Sequence, residues 1–246
     1  MGIHGMNLNK GKLNMFTLNK YENSQLLIED LTSHIVNALK QAIEKKGHAS
    51  IAVSGGKTPI PLFTLLSQQD LEWNRVFITL VDDRWVDDTD DASNEKLVIT
   101  YLLQNKAKLA NFIGLKNSYD NPFDGAELTD EILDKVPMPL DVVILGMGED
   151  GHTASLFPGA ANLQAGLEMK SGRKVVGMIP LTAPLDRITL TLPTILNSTN
   201  IYLHLVGQSK MAVLEQAENG DDVNQMPIRA ILHQNKVKVT GFWSAS

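Results

Sequence analysis

The chain reads as an α/β protein, a mainly parallel open sheet flanked by helices in the Rossmann-like manner, and three observations carry that reading. Strand-like and helical segments alternate along almost the whole length, the pattern expected when parallel strands are joined by crossover helices. The runs Ala49 to Val53 and Val142 to Leu145 are continuously apolar, as suits strands covered on both faces. Both open at their carboxyl ends into glycine-rich polar loops, where open α/β sheets place their ligands. At 246 residues the chain could form one large or two small domains. No linker interrupts it, so the expected organisation is an N-terminal tail over residues 1–20 and a single α/β domain over 21–246.

Taken in order, the opening MGIHGMNLNKGKLNM holds further methionines at Met6 and Met15, consistent with an alternative start or an added remnant. From Ser24 to Lys46, Leu27, Leu31, Ile35, Leu39 and Ile43 recur every four residues and predict one buried helical stripe. His34 and His48, in and just after this helix, read as surface residues. The strand Ala49 to Val53 then opens into SGGKTP, Ser54 to Pro59. A Walker phosphate loop needs a glycine five residues before Gly56, and Ile51 stands there. The general property survives: tandem glycines free backbone N–H groups to face an anion, and Pro59 suits the first position of a following helix. A sugar phosphate fits this turn better than a nucleotide.

Arg75 to Val81 is the next expected strand, ending in Asp82, Asp83, Arg84 and Trp85. The acidic run Asp87 to Asp91 lacks the central glycine and closing glutamate of a calcium loop and reads as a solvated segment. Ser93 is placed to cap a helix through Leu97, Tyr101 and Leu102, with Asn94 able to reach back toward the sheet. Ala110 to Leu115 is a further short strand, and Ala126 to Lys135 a helix. Lys174 to Ile179, Arg187 to Leu192, Asn200 to Val206 and Val237 to Phe242 are β-rich. His204 in the third of these reads as a packed residue, and His233 belongs to a short helix begun after Pro227. Gly207, Gln208, Ser209 and Lys210 start a helix with Met211, Leu214 and Ala217 on one face. A lysine on a first turn is locally unfavourable unless an anion shares the site.

The segment DVVILGMGEDGHTASLFPG, Asp141 to Gly159, concentrates the chemistry. His152 comes after a buried strand, and Gly146, Gly148 and Gly151 allow sharp turns and close approach to a ligand. The same glycines spell the dinucleotide pattern GxGxxG, but the unit comes late in the chain, Pro158 and Gly159 break the long helix that such a pattern should feed, and Glu149 and Asp150 would repel a diphosphate.

Composition narrows the function further. Hydrophobic content of 43% with 20% charged residues is ordinary for a globular protein with a substantial core. A formal charge of −6 argues against nucleic acid as the main partner while leaving room for a small anion in a local basic pocket. The absence of cysteine excludes disulfides, thiolate nucleophiles and cysteine-ligated metals. No apolar run reaches the ~18 residues of a membrane span, and no signal peptide is visible, so the expected location is the cytoplasm.

Four segments together resemble the 6-phosphogluconolactonases, within the wider fold group of glucosamine-6-phosphate deaminase and ribose-5-phosphate isomerase. They are SGGKTP, DDRWV with Ser93 and Asn94, LGMGEDGHTASLFPG, and DRITLTLP at Asp186 to Pro193. The resemblance implies hydrolysis of 6-phospho-D-glucono-1,5-lactone, with no cofactor and no metal, by a monomer or weak dimer whose only partner is the sugar-phosphate lactone. It assigns the general base to His152 and the sugar-phosphate site to the glycine turn, Arg84, Arg187 and Lys210. The candidate catalytic set is His152, Asp150, which would hold the imidazole or the substrate in place, and Arg84, which shares with the backbone N–H groups of a glycine loop the candidacy for oxyanion donor. The candidate substrate-binding set is Ser54, Gly55, Gly56, Lys57, Thr58, Asp82, Asn94, Gly148, Arg187 and Lys210. The chain departs from the family at Lys57, where Ser or Thr is usual, and at Asp83, where Glu is usual. Three alternatives compete with this reading. A covalent route through Ser54 or Ser155 lacks a GxSxG elbow. A deaminase would carry FNEP after its DGH. A non-catalytic sugar-phosphate sensor would be expected to carry a DNA-binding appendage, and no basic helix-turn-helix segment is present.

Overall fold

The structure, a computed structural model, describes residues 15–246, so the reading of the opening segment as an alternative start lies outside the described residues. The main sheet has seven strands in the spatial order β1 (Phe16–Tyr21), β10 (Lys238–Ser244), β9 (Ser198–Val206), β6 (Leu140–Leu145), β2 (Ala49–Val53), β3 (Val76–Leu80) and β5 (Asn111–Ile113). Every pairing in it is parallel. Around it lie α1 (Ser24–Lys46), α2 (Ile60–Ser67), α3 (Asn94–Tyr101), α4 (Pro122–Ile132), α5 (Leu163–Leu167), α6 (Leu192–Leu196), α7 (Gln208–Glu218) and α8 (Arg229–Leu232).

The first helix forms as its stripe requires. Leu27, Leu31, Ile35, Leu39 and Ile43 are all buried. Asn23 caps it by accepting from the Leu26 N–H, and Gly47 ends it at φ +81, a left-handed turn that glycine adopts without a Cβ clash. Lys46 in the last turn meets the buried carboxylate of Asp141 at 2.7 Å, while the other oxygen of Asp141 accepts from the Ser50 N–H at 2.9 Å. One carboxylate thus ties the end of α1 to the start of the two central strands.

Three expectations need correction. Residues 16–20, expected in a tail, belong to β1. This edge strand pairs on one side only and buries Phe16 alone, so its periodic signal is faint. The β-rich segments at 174–179 and 187–192 form β7 (Val175–Met178) and β8 (Arg187–Leu190), which join β4 (Asp82–Arg84) in a separate antiparallel sheet of order β4-β8-β7. The expected helix at 126–135 begins earlier, because the Asn121 side chain accepts from the N–H groups of Phe123 and Asp124, and it tightens into a 3₁₀ turn at Leu133–Lys135.

The chain leaves β2 outward to β3 and leaves β6 in the other direction toward β9. The strand order therefore switches between β2 and β6, and a crevice opens beyond their carboxyl ends. Val81 sits where the two sheets meet, donating to the Val53 carbonyl and accepting from the Leu190 N–H. The small sheet is thereby fixed as the third wall of that crevice. Among the described residues, no helix is long and apolar enough to cross a membrane, and no group of three or more His, Asp or Glu side chains is placed to hold a metal ion.

Candidate active site

A cavity of about 320 Å³ lies over the switch point. Its walls include Ser54, Gly55, Gly56 and Thr58 from the turn after β2, Asp82 and Arg84 from β4, and Asn94 from α3. Gly148 and His152 from the loop after β6, Arg187 from β8 and Lys210 from α7 complete it. Five strand ends scattered over more than 150 residues of sequence thus converge on one space. Lys57 is exposed and stands outside these walls, and Asp150 supports the cavity from behind His152 rather than lining it.

His152 is held on three sides. Its Nδ1 lies 2.6 Å from Oδ1 of Asp150, and its backbone N–H donates to the same oxygen at 3.0 Å. The ring stacks on Phe157 with centroids 4.3 Å apart. Gly148 accounts for the third side, since a Cβ there would stand 2.1 Å from both Nδ1 and Cε1 of the ring. Burial pushes the Asp150 carboxyl up, but the hydrogen bonds and charge of His152 outweigh it and hold the group below the usual carboxylate range. An ionised carboxylate only accepts, so Nδ1 is the nitrogen that carries a proton toward Asp150, and in the neutral ring Nε2 is the nitrogen with the free lone pair. The loop closes on itself through Gly148 N–H to the His152 carbonyl and Gly151 N–H to the Gly148 carbonyl, with Gly151 at φ +78.

The opposite wall is cationic. Antiparallel pairing sets Arg84 directly beside Arg187. Arg187 is 7% exposed; burial first, then the charge of Arg84, lowers its pKa, although Asp82 and Asp83 act the other way. A buried guanidinium with a second, half-buried one on the paired residue makes a place for an anion. Arg84 Nη1 donates to Asn94 Oδ1 at 2.7 Å and to the Ala92 carbonyl at 2.9 Å, which orients the guanidinium plane. Its Nε and Nη2 have no partner among the described residues. Asn94 also donates from Nδ2 to the Asp82 carbonyl and packs so tightly on Gly55 that a Cβ there would fall 1.8 Å from Oδ1. The turn after β2 needs its glycines for this approach and for the φ of +90 at Gly56.

Asp83, one of the two positions read above as departing from the resemblance, does not line the cavity. Its carboxylate accepts from the N–H groups of Arg84 at 2.7 Å, Asn94 at 2.7 Å and Glu95 at 3.1 Å, two of them first-turn donors of α3. Burial pushes its pKa up to about 7 against the pull of those three donors. Asp83 therefore positions α3, and through it Asn94 and Arg84.

Both serines weighed as nucleophiles are committed elsewhere. Ser54 Oγ donates to the Ile144 carbonyl at 2.8 Å, and Ser155, wholly buried, donates to Asp82 Oδ2 at 2.5 Å. Phe157, Glu149 and His204 are among the residues at the site that carried no prediction of a role there. Phe157 backs the histidine and places its ring 5.6 Å from the Arg187 guanidinium. Glu149 reaches Lys210 at 2.7 Å. His204, packed as expected at 5% exposure, nonetheless lines the cavity, and its buried Nε2 has no partner among the described residues. Only Phe157 and Glu149 had a sequence signal available, their position within the glycine-histidine segment.

The chain matches known proteins across its length. The family model described as glucosamine-6-phosphate isomerases/6-phosphogluconolactonase covers residues 22–240. A 6-phosphogluconolactonase of Pseudomonas putida is 36% identical over 95% of this chain and 96% of its own, and one of Neisseria meningitidis is 38% identical over 94% and 100%. A crystal structure of a 6-phosphogluconolactonase from Shewanella baltica superimposes with a TM-score of 0.93 at 47% identity, covering 96% of this chain and 100% of that one.

Proposed function

The chain belongs to the glucosamine-6-phosphate isomerase/6-phosphogluconolactonase family, and from that premise we propose that it hydrolyses 6-phospho-D-glucono-1,5-lactone to 6-phospho-D-gluconate, in the oxidative pentose phosphate pathway. The observation that carries the reading is an imidazole with its Nδ1 committed to Asp150, set across a 320 Å³ cavity from Arg84 and Arg187. That is a general base facing an anion site. The deaminase alternative finds no support, since no acid occurs between His152 and Gly159 and Ser155 is locked on Asp82.

In the proposed mechanism the phosphate is held by Arg187, Lys210 and the N–H groups of the glycine turn. The lactone carbonyl lies toward His152. Nε2 takes a proton from water, the resulting hydroxide adds to the carbonyl carbon, and charge collects on the carbonyl oxygen. The N–H groups of Arg84 that protein leaves unpartnered stabilise that oxyanion. The tetrahedral intermediate collapses with cleavage of the bond to the ring oxygen, which takes the proton back from the imidazolium. Asp150 stabilises the imidazolium and fixes its tautomer throughout.

The test is acid release from freshly prepared 6-phosphogluconolactone, measured against the spontaneous rate. The expected result is catalysis by the parent protein and a loss of ~10²–10⁴-fold in turnover for His152→Ala. A variant within a few-fold of the parent refutes the base assignment.

A further inference from the structure

Lys210 does not stand alone at the mouth of α7. Its Nζ lies 2.7 Å from Oε1 of Glu149, and Ser209 Oγ donates to the same oxygen at 3.1 Å. Glu149 belongs to the catalytic loop, between the cavity-lining Gly148 and the Asp150 that orients the base. Gly207, at φ +117, turns the chain from β9 into α7 so that the first turn of the helix faces the crevice. The Lys210 N–H donates to the Gly207 carbonyl at 3.2 Å, the N–H groups of Gln208 and Ser209 before it have no acceptor inside the helix, and the positive end of the helix dipole lies there. One oxygen bound by an ammonium and a hydroxyl at a helix N-terminus occupies the setting a phosphate oxygen would take.

Magnitudes favour exchange over permanence. The Glu149 side chain is 60% exposed and that of Lys210 22%, so water screens the pair strongly. An exposed pair of this kind is weak and readily exchanged. The Lys210 hydrogen bond keeps the Glu149 carboxyl below its ordinary range, and the carboxylate is anionic at neutral pH. A phosphate monoester brings up to two charges and three acceptor oxygens to the same donors, with Arg187 and Arg84 on the adjoining wall.

We propose that Glu149 is a resident competitor for the substrate's phosphate: its carboxylate occupies Lys210 and Ser209 until a phosphate monoester displaces it, and so sets how strongly the site favours phosphorylated lactones over other anions. The inference rests on the reading of Lys210 as a phosphate-binding residue. The displaced side chain lies one residue from Asp150, so arrival of the phosphate is felt on the loop that carries the base.

The experiment compares the parent with Glu149→Gln, Glu149→Ala and Lys210→Ala, using phosphorylated lactone, glucono-1,5-lactone, and inorganic phosphate as inhibitor. Glu149→Gln and Glu149→Ala are expected to lower both the KM for phosphorylated lactone and the inhibition constant of inorganic phosphate roughly two- to fivefold. The KM for the unphosphorylated lactone should stay put. Using both variants separates removal of the charge from any hydrogen bond the new amide makes. An unchanged or raised KM for phosphorylated lactone in both, while Lys210→Ala raises it, overturns the role of Glu149 and leaves the phosphate site standing. If Lys210→Ala leaves that KM unchanged, the phosphate site itself is misplaced and the inference falls with it. A variant that lost its fold would lose turnover of both lactones together, and a comparison of melting temperatures identifies that case.

Discussion

A single methyl group at position 148 tests how closely His152, the proposed base, is positioned. The Cβ of Gly148→Ala would stand 2.1 Å from two atoms of the His152 ring and 2.8 Å from Asp150 Oδ1, so either the ring or the loop must move. The ring is the softer of the two, because the loop is closed by its own backbone hydrogen bonds. The expected result is a loss of about 10²-fold or more in kcat with KM for the phosphorylated lactone changed by little, since the residues proposed to hold the phosphate lie on other elements. An alanine variant with parent kcat would show that the ring tolerates displacement. At this scale the sequence was informative where function depends on local pattern. Glycines within four residues of a histidine announce a tight loop, whereas the Glu149–Lys210 pair joins residues about 60 positions apart and leaves no periodic trace.

The small antiparallel sheet has the same status among the elements. Its three strands run three, four and four residues, too short for an alternating pattern to reveal orientation, and β4 comes after β3 with a single residue between them. The β-rich character of two of these strands was readable; their partition from the main sheet was not, because it depends on Val81 bonding to both sheets at once. By contrast, α1 was legible from end to end, since its stripe, cap and terminal glycine are all local signals. Gly177 in β7 is where the small sheet meets α4: a Cβ there would come within 3.0 Å of the backbone at Pro122 and Phe123. Gly177 pairs with Ile188, the neighbour of Arg187. Gly177→Ala must therefore push α4 away from β7, with an expected cost of about 1–3 kcal/mol from overpacking. The check is a lowered urea midpoint at constant m, with the KM for phosphorylated lactone raised as β8 shifts. Parent stability would mean that α4 slides freely on the sheet.

A chain of formal net charge −6 carries a crevice with Arg84 and Arg187 on one wall, and two buried groups near that crevice titrate in opposing senses. Burial pushes Asp83 from 3.8 up to about 7 and His204 from 6.5 down to about 4. Between pH 4 and 7 the folded chain keeps a proton on Asp83 that the unfolded chain releases, so this group makes stability fall as pH rises, by up to roughly 4 kcal/mol. Between pH 4 and 6.5 the unfolded chain binds a proton that folded His204 refuses, so this group makes stability rise with pH, by up to roughly 3 kcal/mol. The two slopes oppose each other between pH 4 and 6.5, so the parent profile alone does not separate them. Single variants expose them when urea unfolding is compared at pH 4, 5.5 and 7. The stability of the parent minus that of Asp83→Asn should fall across this range, and the parent minus His204→Leu should rise from pH 4 to 6.5. Differences that stay flat with pH in both variants would mean that neither group changes its proton affinity on folding. The cavity lining would then be wetter than the 5% exposure of His204 implies.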